Sequence, residues 1–444
     1  MQPIWFLVPF VIIGIVYLIQ KPITLFYLLL FSIPWSIEYH FPSGLGTDLP
    51  DEPLMWLTCI AATVLFIQHR KSVFKKLHPL LLLLLLQILW MVVSVIYSTH
   101  FILSVKYFLA KIWYLTAFLI MPLLLWRDQQ IFKRSAIVLL ASMLLATTVG
   151  IVRHGLTGFS FSTINTAISP FFRNHVNYSA LLVCMIPLQV VCWKQAKSAK
   201  LRRIILLSFF VTVPAMYFSF ARGAWLALPL GGLAYLLLKK QWLLRGFLLT
   251  ILSGLIVLLW LKEDNRYLQF AHNYQKTVFH QNFNEHLTAT YQLKDLSTAE
   301  RFHRWIAGVR MIEDSWQTGF GPTTFYQHYK SYTVPAFKTW VSKNEEQSTV
   351  HNYFLLLLVE QGAMGLLLFL LLLGLSFWYT QKIYSQTKDV FWRRTVAAIA
   401  VILAMLCTVN FLSDLIETDK VGSVFYLCIA TLIVADRRQN NCPN

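Results

Sequence analysis

Apolar residues run along this chain in blocks too long for the buried helices of a soluble core. Leu80 to Ile96 and Leu355 to Leu375 hold few groups that water would solvate. A run of ~20 apolar residues, rising 1.5 Å per residue, matches the ~30 Å hydrocarbon core of a bilayer. Such blocks predict helical spans near 3–19, 22–37, 53–68, 78–97, 103–126, 135–152, 175–193, 203–220, 222–238, 245–261, 349–379, 394–412 and 421–435. The expected fold is an all-α polytopic membrane protein with about 12–13 transmembrane helices. Twelve is the alternative because the first two runs are short and meet at Gln20-Lys21, which leaves room for a fused or re-entrant piece.

The pattern changes abruptly at residue 262. Residues 262–348 hold ten basic residues, nine acidic residues and five histidines (His272, His280, His286, His303 and His328). Loops longer than about 15 residues are usually functional or disordered. This one carries Trp305, Trp316 and Trp340 and a readable helix, so an ordered loop is expected. The chain therefore divides into an N-terminal transmembrane bundle (1–261), a large outer loop (262–348) and C-terminal transmembrane helices with a short tail (349–444). Within the loop, Ser297 and Glu300 have capping-box spacing. Phe302, Trp305, Ile306, Val309 and Ile312 then recur at helical spacing, which predicts an amphipathic helix near 297–314. Gly319-Phe320-Gly321-Pro322 follows as a tight turn.

Charge fixes the expected orientation. The formal net charge is +18, yet 22 of the 38 basic residues fall in one alternating set of short connectors, among them Arg70 to Lys76, Lys194 to Arg203 and Lys382 to Arg394. The intervening connectors 38–52 and 98–102 hold no Lys or Arg. By the positive-inside rule the basic set is cytoplasmic, and the large loop faces the opposite side. The excess charge thus reads as topology, and no nucleic-acid partner is expected. Met1 to Ile19 lacks a basic start and a small-x-small cleavage site, so a retained helix is expected rather than a signal peptide. Six cysteines lie in or beside the spans or in the tail (Cys442) and show no zinc-like spacing.

Four features carry candidate chemistry. Arg222 interrupts about 35 apolar residues; a mid-membrane Arg costs at least ~2.5–3.5 kcal/mol, so a turn between spans is the expected reading. A snorkelling arginine at the lipid headgroups is the alternative. Arg301 and Arg304 lie three apart on the loop helix, beside Trp305. Guanidinium is the preferred bidentate partner of phosphate, while Glu300 stands at i,i+4 spacing to pair with Arg304. His351-Asn352 opens the span after the loop, where Ser348 or Thr349 could cap it; an imidazole there suits proton transfer or is a plain interfacial residue. Glu360-Gln361-Gly362 places an ionisable group in a span, for function or for pairing with a basic residue, with glycines that permit close packing.

Together these residues resemble the O-antigen ligase/O-antigen polymerase-like superfamily of bacterial envelope glycan transferases over roughly residues 175–412. The resemblance rests on Arg222-Gly223-Ala224-Trp225, on Arg301-x-x-x-Trp305 with Met311-Ile312-Glu313-Asp314 and Gly319-Phe320-Gly321-Pro322, and on His351-Asn352-Tyr353-Phe354 with Glu360-x-Gly362-x-x-Gly365. One departure is Ala221, where the family usually has serine. The resemblance implies a GT-C-like glycosyltransferase of the bacterial inner membrane, active on the periplasmic side, with no cofactor and no metal. It would take a glycan from undecaprenyl diphosphate and pass it to a sugar hydroxyl of lipid A–core. Arg222, Arg301, Arg304 and Asn352 would bind the diphosphate, and His351 would be the base or a further phosphate contact. Trp305, Gly319, Gly321, Glu360 and Gly362 would shape the site. The alternatives are a polymerase using the same donor, a protein O-oligosaccharyltransferase and a lipid-linked glycan transporter. Asp48, Asp51 and Glu52 keep a metal-dependent transferase open, although no Asp-x-Asp occurs.

Overall fold

A computed structural model of the protein describes residues 8–40, 46–73, 77–270, 296–344 and 347–441, so His272, His280, His286 and Cys442 fall outside the described residues. A helix stands at each expected span: α1 (Val8–Gln20), α2 (Pro22–Ser32), α3 (Asp51–Val73), α4 (Pro79–Ile96), α5 (Phe101–Leu125), α6 (Gln129–Leu156), α7 (His175–Gln195), α8 (Ala199–Tyr217), α9 (Arg222–Lys239) and α10 (Leu243–Lys262). The loop helix α11 (Leu296–Ser315) follows, and then α12 (Tyr353–Gln386), α13 (Val390–Phe411) and α14 (Asp419–Asn441). Among the described residues, seven helices are long and apolar enough to cross a membrane: α4, α5, α6, α7, α10, α12 and α13. The protein is an all-α polytopic membrane protein. Residues Ile13–Gln20 and Pro22–Trp35 form a pair bent by 104°, at the junction where the sequence leaves a fused or re-entrant piece open. Pro22, the first residue of α2, has no N–H with which to continue the helix before it. A small antiparallel hairpin, Ile37–His40 with Gly46–Leu49, adds the two strands found among the described residues.

Two compact units interleave along the chain. The first comprises 1–78, 110–221 and 419–444. Here α6 packs on α2, α7 and α8, and the buried Gln189 amide donates to Ser208 Oγ and Thr212 Oγ1, both at 2.8 Å. Lys420, at the start of α14, is buried and donates to the carbonyls of Ile33 (3.0 Å) and Ser36 (3.1 Å).

The second unit comprises 79–109 and 222–418. In it α9 packs along α13, so closely that a Cβ at Gly231 would overlap Met405. The long α12 packs on α4, α10, α11 and α13. It is broken at Gly362, whose φ of 69° and ψ of −175° belong to a region that is essentially glycine-only. The break frees three carbonyls, and each finds a donor: Val359 O takes Phe320 N–H (2.9 Å), Glu360 O takes Gly321 N–H (3.0 Å) and Gln361 O takes Trp90 Nε1–H (2.7 Å). Ala363 N–H returns a bond to Trp316 O (2.8 Å). Buried backbone groups left without partners are costly, most of all in a membrane, so the broken helix and the 316–322 turn require each other. Gly319 (φ 74°) lies against the backbone of Glu360, and Gly321 (φ 108°) against Ser98.

Substituting Gly362→Ala should therefore destabilise the protein by about 2 kcal/mol or more, through strain and overlap with the Gln317 backbone. A thermal melt of the purified variant in detergent checks this; an unchanged midpoint would mean the break is not needed for folding.

Candidate functional site

The predicted residues are organised around a turn that sequence reasoning did not single out, residues 411–414 at the end of α13. Asn410 is fully buried; its amide donates to Leu406 O (2.8 Å) and its oxygen accepts Ile416 N–H (2.9 Å), which folds the chain back on itself. Each residue of the turn then meets a different part of the unit. Phe411 packs edge-on against Trp305, with ring centroids 5.7 Å apart. Leu412 lies where a Cβ on Gly223 would come within 3.3 Å of it. Ser413 O accepts Tyr353 N–H at 2.9 Å. Asp414 Oδ1 stands 3.8 Å from His351 Nδ1, an ion-pair distance rather than a hydrogen bond.

His351 reaches this position through an unusual backbone. Its φ is 53°, in the left-handed region that non-glycine residues seldom occupy. Val350 on one side is fully buried, and Tyr353 on the other is tied to Ser413. The span is capped not by Ser348 or Thr349 but by Asn352, whose side-chain oxygen accepts Leu355 N–H at 3.0 Å. The imidazole is half-buried at 35% exposure and the Asp414 carboxylate largely buried at 17%. Burial alone would push the Asp414 carboxyl up. The facing His351 and the Thr349 hydroxyl outweigh it and hold the group below the usual carboxylate range.

On α11 the capping box gives way to a buried network. The helix already runs at Leu296, so Ser297 lies inside its first turn. Glu300 is buried and accepts Ser342 Oγ (2.5 Å), Thr339 Oγ1 and Arg304 (3.2 Å). A carboxylate so enclosed needs these donors more than a cap needs the carboxylate. Burial lowers the His303 imidazole below its ordinary value, despite the nearby Glu300. Arg304 is buried in its pair with Glu300, whereas Arg301 is half-buried one turn earlier. Among the described residues, Trp305 Nε1 is buried with no hydrogen-bond partner.

Arg222 is the first residue of α9, just after the turn at Phe220, as the turn reading expects. It is half-buried, and the neighbouring Gly223 lets α9 approach Leu412. Among the described residues, Glu360 meets no basic partner. Its carboxylate accepts the backbone N–H groups of Thr323 (2.8 Å) and Phe325 (3.1 Å), which fixes the 319–325 loop. The flanks of Arg222, Arg301 and His351 thus share one four-residue turn, while Glu360, Gly319, Gly321 and Gly362 form the separate scaffold at the helix break. In the other unit, Glu52 accepts Asp48 N–H (3.2 Å) and the Thr47 hydroxyl, and burial, with Asp419 adding, pushes the Asp48 carboxyl up to about 6.

Asp414 and Thr349 are the functional candidates that sequence reasoning missed. Leu412-Ser413-Asp414 reads as an ordinary turn, and the one available signal was an ionisable residue at a span end on the same side as His351.

Residues 207–370 match the family model described as O-antigen ligase, over a little more than a third of the chain. The match supports an O-antigen ligase-like superfamily and, in general terms, the function of its ligases and polymerases. It contains Arg222, Arg301 and His351 and ends before Asp414. No curated protein matches the chain.

Because its folded value is depressed, the Asp414 carboxylate stabilises the fold fully above an unfolded pKa of about 3.9, and that contribution is lost as pH falls through the lower folded value. Asp414→Asn should cost about 1–3 kcal/mol at pH 7, with the gap to wild type closing in acid. Melting midpoints across pH check this; a gap independent of pH would contradict it.

Proposed function

We propose, from the premise of an O-antigen ligase-type domain at residues 207–370, that this protein is a metal-independent glycosyltransferase of the bacterial inner membrane. It moves a glycan from undecaprenyl diphosphate to a sugar hydroxyl of lipid A–core on the periplasmic side. The observation that carries this reading is the His351–Asp414 pair, set on the same turn that meets the flanks of Arg222 and Arg301.

In the reaction the acceptor hydroxyl oxygen attacks the anomeric carbon of the donor sugar. A glycosidic C–O bond forms as the bond from that carbon to the phosphate oxygen breaks. The electron pair leaves with undecaprenyl diphosphate, and the hydroxyl proton passes to His351. Asp414 orients the imidazole and stabilises its protonated form, as a buried carboxylate beside a catalytic histidine does. The guanidinium groups of Arg222 and Arg301 hold the diphosphate oxygens and stabilise the charge that develops on them. The buried Trp305 N–H, which meets no acceptor among the described residues, supports an anionic ligand beside it.

The ends of the helices support the orientation. Arg222 opens α9, Tyr353 opens α12 and Phe411 closes α13, whereas Lys239, Lys382, Arg393 and Arg394 lie at the opposite ends of the same helices and Lys388 in the connector between α12 and α13. With those basic ends cytoplasmic, the His351 end faces the periplasm.

Arg222→Ala and Arg301→Ala should abolish transfer without loss of membrane expression, and His351→Ala should cost about 10²–10⁴-fold. An in vitro transfer assay checks all three; near-wild-type rates would remove these residues from the site. A deletion strain examined by gel tests the reaction itself. Lipopolysaccharide without glycan caps, together with accumulated lipid-linked polymer, is the expected result. Caps of a single repeat would instead make the protein a polymerase acting on the same carrier.

A further inference from the structure

The sequence offers Arg301 as a phosphate ligand and leaves Arg304 between that role and a pair with Glu300; their surroundings differ accordingly. Arg304 is 6% exposed, and its charge is met by Glu300, itself 6% exposed, at 3.2 Å. Glu300 is in turn held by the Thr339 and Ser342 hydroxyls, which anchors the pair to the segment after the 335–337 turn. A guanidinium this deeply buried and paired with a carboxylate presents little surface to a diphosphate. Its Nη1 is turned elsewhere and donates to the backbone carbonyl of Thr349 at 3.4 Å.

Thr349 is the junction that matters. Its hydroxyl donates to Asp414 Oδ2 at 2.5 Å and accepts His351 N–H at 3.5 Å. The other oxygen of Asp414 faces His351 Nδ1 at 3.8 Å. An unbroken series of polar contacts therefore runs from Glu300 through Arg304, Thr349 and Asp414 to the imidazole. It reaches His351, whose left-handed backbone is held in place by its surroundings.

We propose that Arg304 is a positioning residue rather than a ligand: braced by Glu300, it sets the Thr349 carbonyl and thereby the His351–Asp414 pair. This rests on the reading of His351 as the general base. Removing either charge outright would leave the other buried and alone, so the informative changes are conservative. Arg304→Lys keeps the charge and the pairing with Glu300 but lacks the fork that reaches Thr349. Thr349→Val leaves α11 untouched and cuts the hydroxyl link to Asp414.

The experiment measures transfer by the full-length protein in liposomes, with an undecaprenyl-diphosphate-linked oligosaccharide as donor. Both variants should lower kcat about tenfold, leave the donor KM within about twofold, and cause no further loss when combined with His351→Ala. Should Arg304→Lys fail to accumulate as folded protein, the paired change Glu300→Gln with Arg304→Gln, which removes both buried charges together, takes its place with the same expected kinetics. A raised donor KM at unchanged kcat, losses that multiply with that of His351→Ala, or wild-type kinetics in the variants would overturn the positioning role while leaving the base reading intact. A wild-type rate for His351→Ala itself would overturn both.

Discussion

A carboxylate buried at the end of a membrane helix must be surrounded by donors, and Asp414 is such a group. It sits in the turn after α13 and is served by the Thr349 hydroxyl and the His351 imidazole. Those two residues flank the entry to α12, so satisfying the carboxylate also fixes how α12 begins relative to α13. Asn410 bends the chain so that the turn exists, and Tyr353 binds the Ser413 carbonyl to hold it. The arginine-bearing helices then pack on what the turn presents, α11 through Trp305 and α9 through Gly223. One polar demand thus orders the approach of three helices.

A second demand is met ten residues further along α12. Breaking a helix inside a membrane protein exposes carbonyls that neither lipid nor the helix can serve. The loop after α11 supplies the N–H groups of Phe320 and Gly321, and Trp90 supplies its indole. Glu360 completes the exchange by accepting the N–H groups of Thr323 and Phe325. Both ends of α11 are thereby tied to α12: one through Glu300, Arg304 and Thr349, the other through the glycine turn. The helix that carries Arg301 is fixed to the helix that His351 precedes.

The helices were legible in the sequence because lipid imposes length and apolarity directly on each segment, so α4, α6, α7, α12 and α13 follow from hydropathy alone. Arg222 at a turn was legible for the same reason, since burying its charge in lipid is costly. Contacts between distant segments were not legible. Glu300 has the right spacing for a capping box and also for a pair with Arg304, and only the buried hydroxyls of Thr339 and Ser342 decide between them. Glu360 reads in the sequence as a functional group or as the partner of a basic residue, whereas backbone N–H groups serve it because the broken helix brings them near. Asp414 was passed over because a Ser-Asp turn between spans is common, and its role depends on a histidine 63 positions earlier in the chain.

A structure of the full-length protein in lipid nanodiscs with undecaprenyl diphosphate tests the account most directly. Diphosphate oxygens within salt-bridge distance of Arg222 and Arg301, with His351 on the acceptor side, across the anomeric-carbon position from the leaving oxygen, are the predicted result. A diphosphate held at the opposite helix ends, among Lys382, Lys388, Arg393 and Arg394, would contradict it.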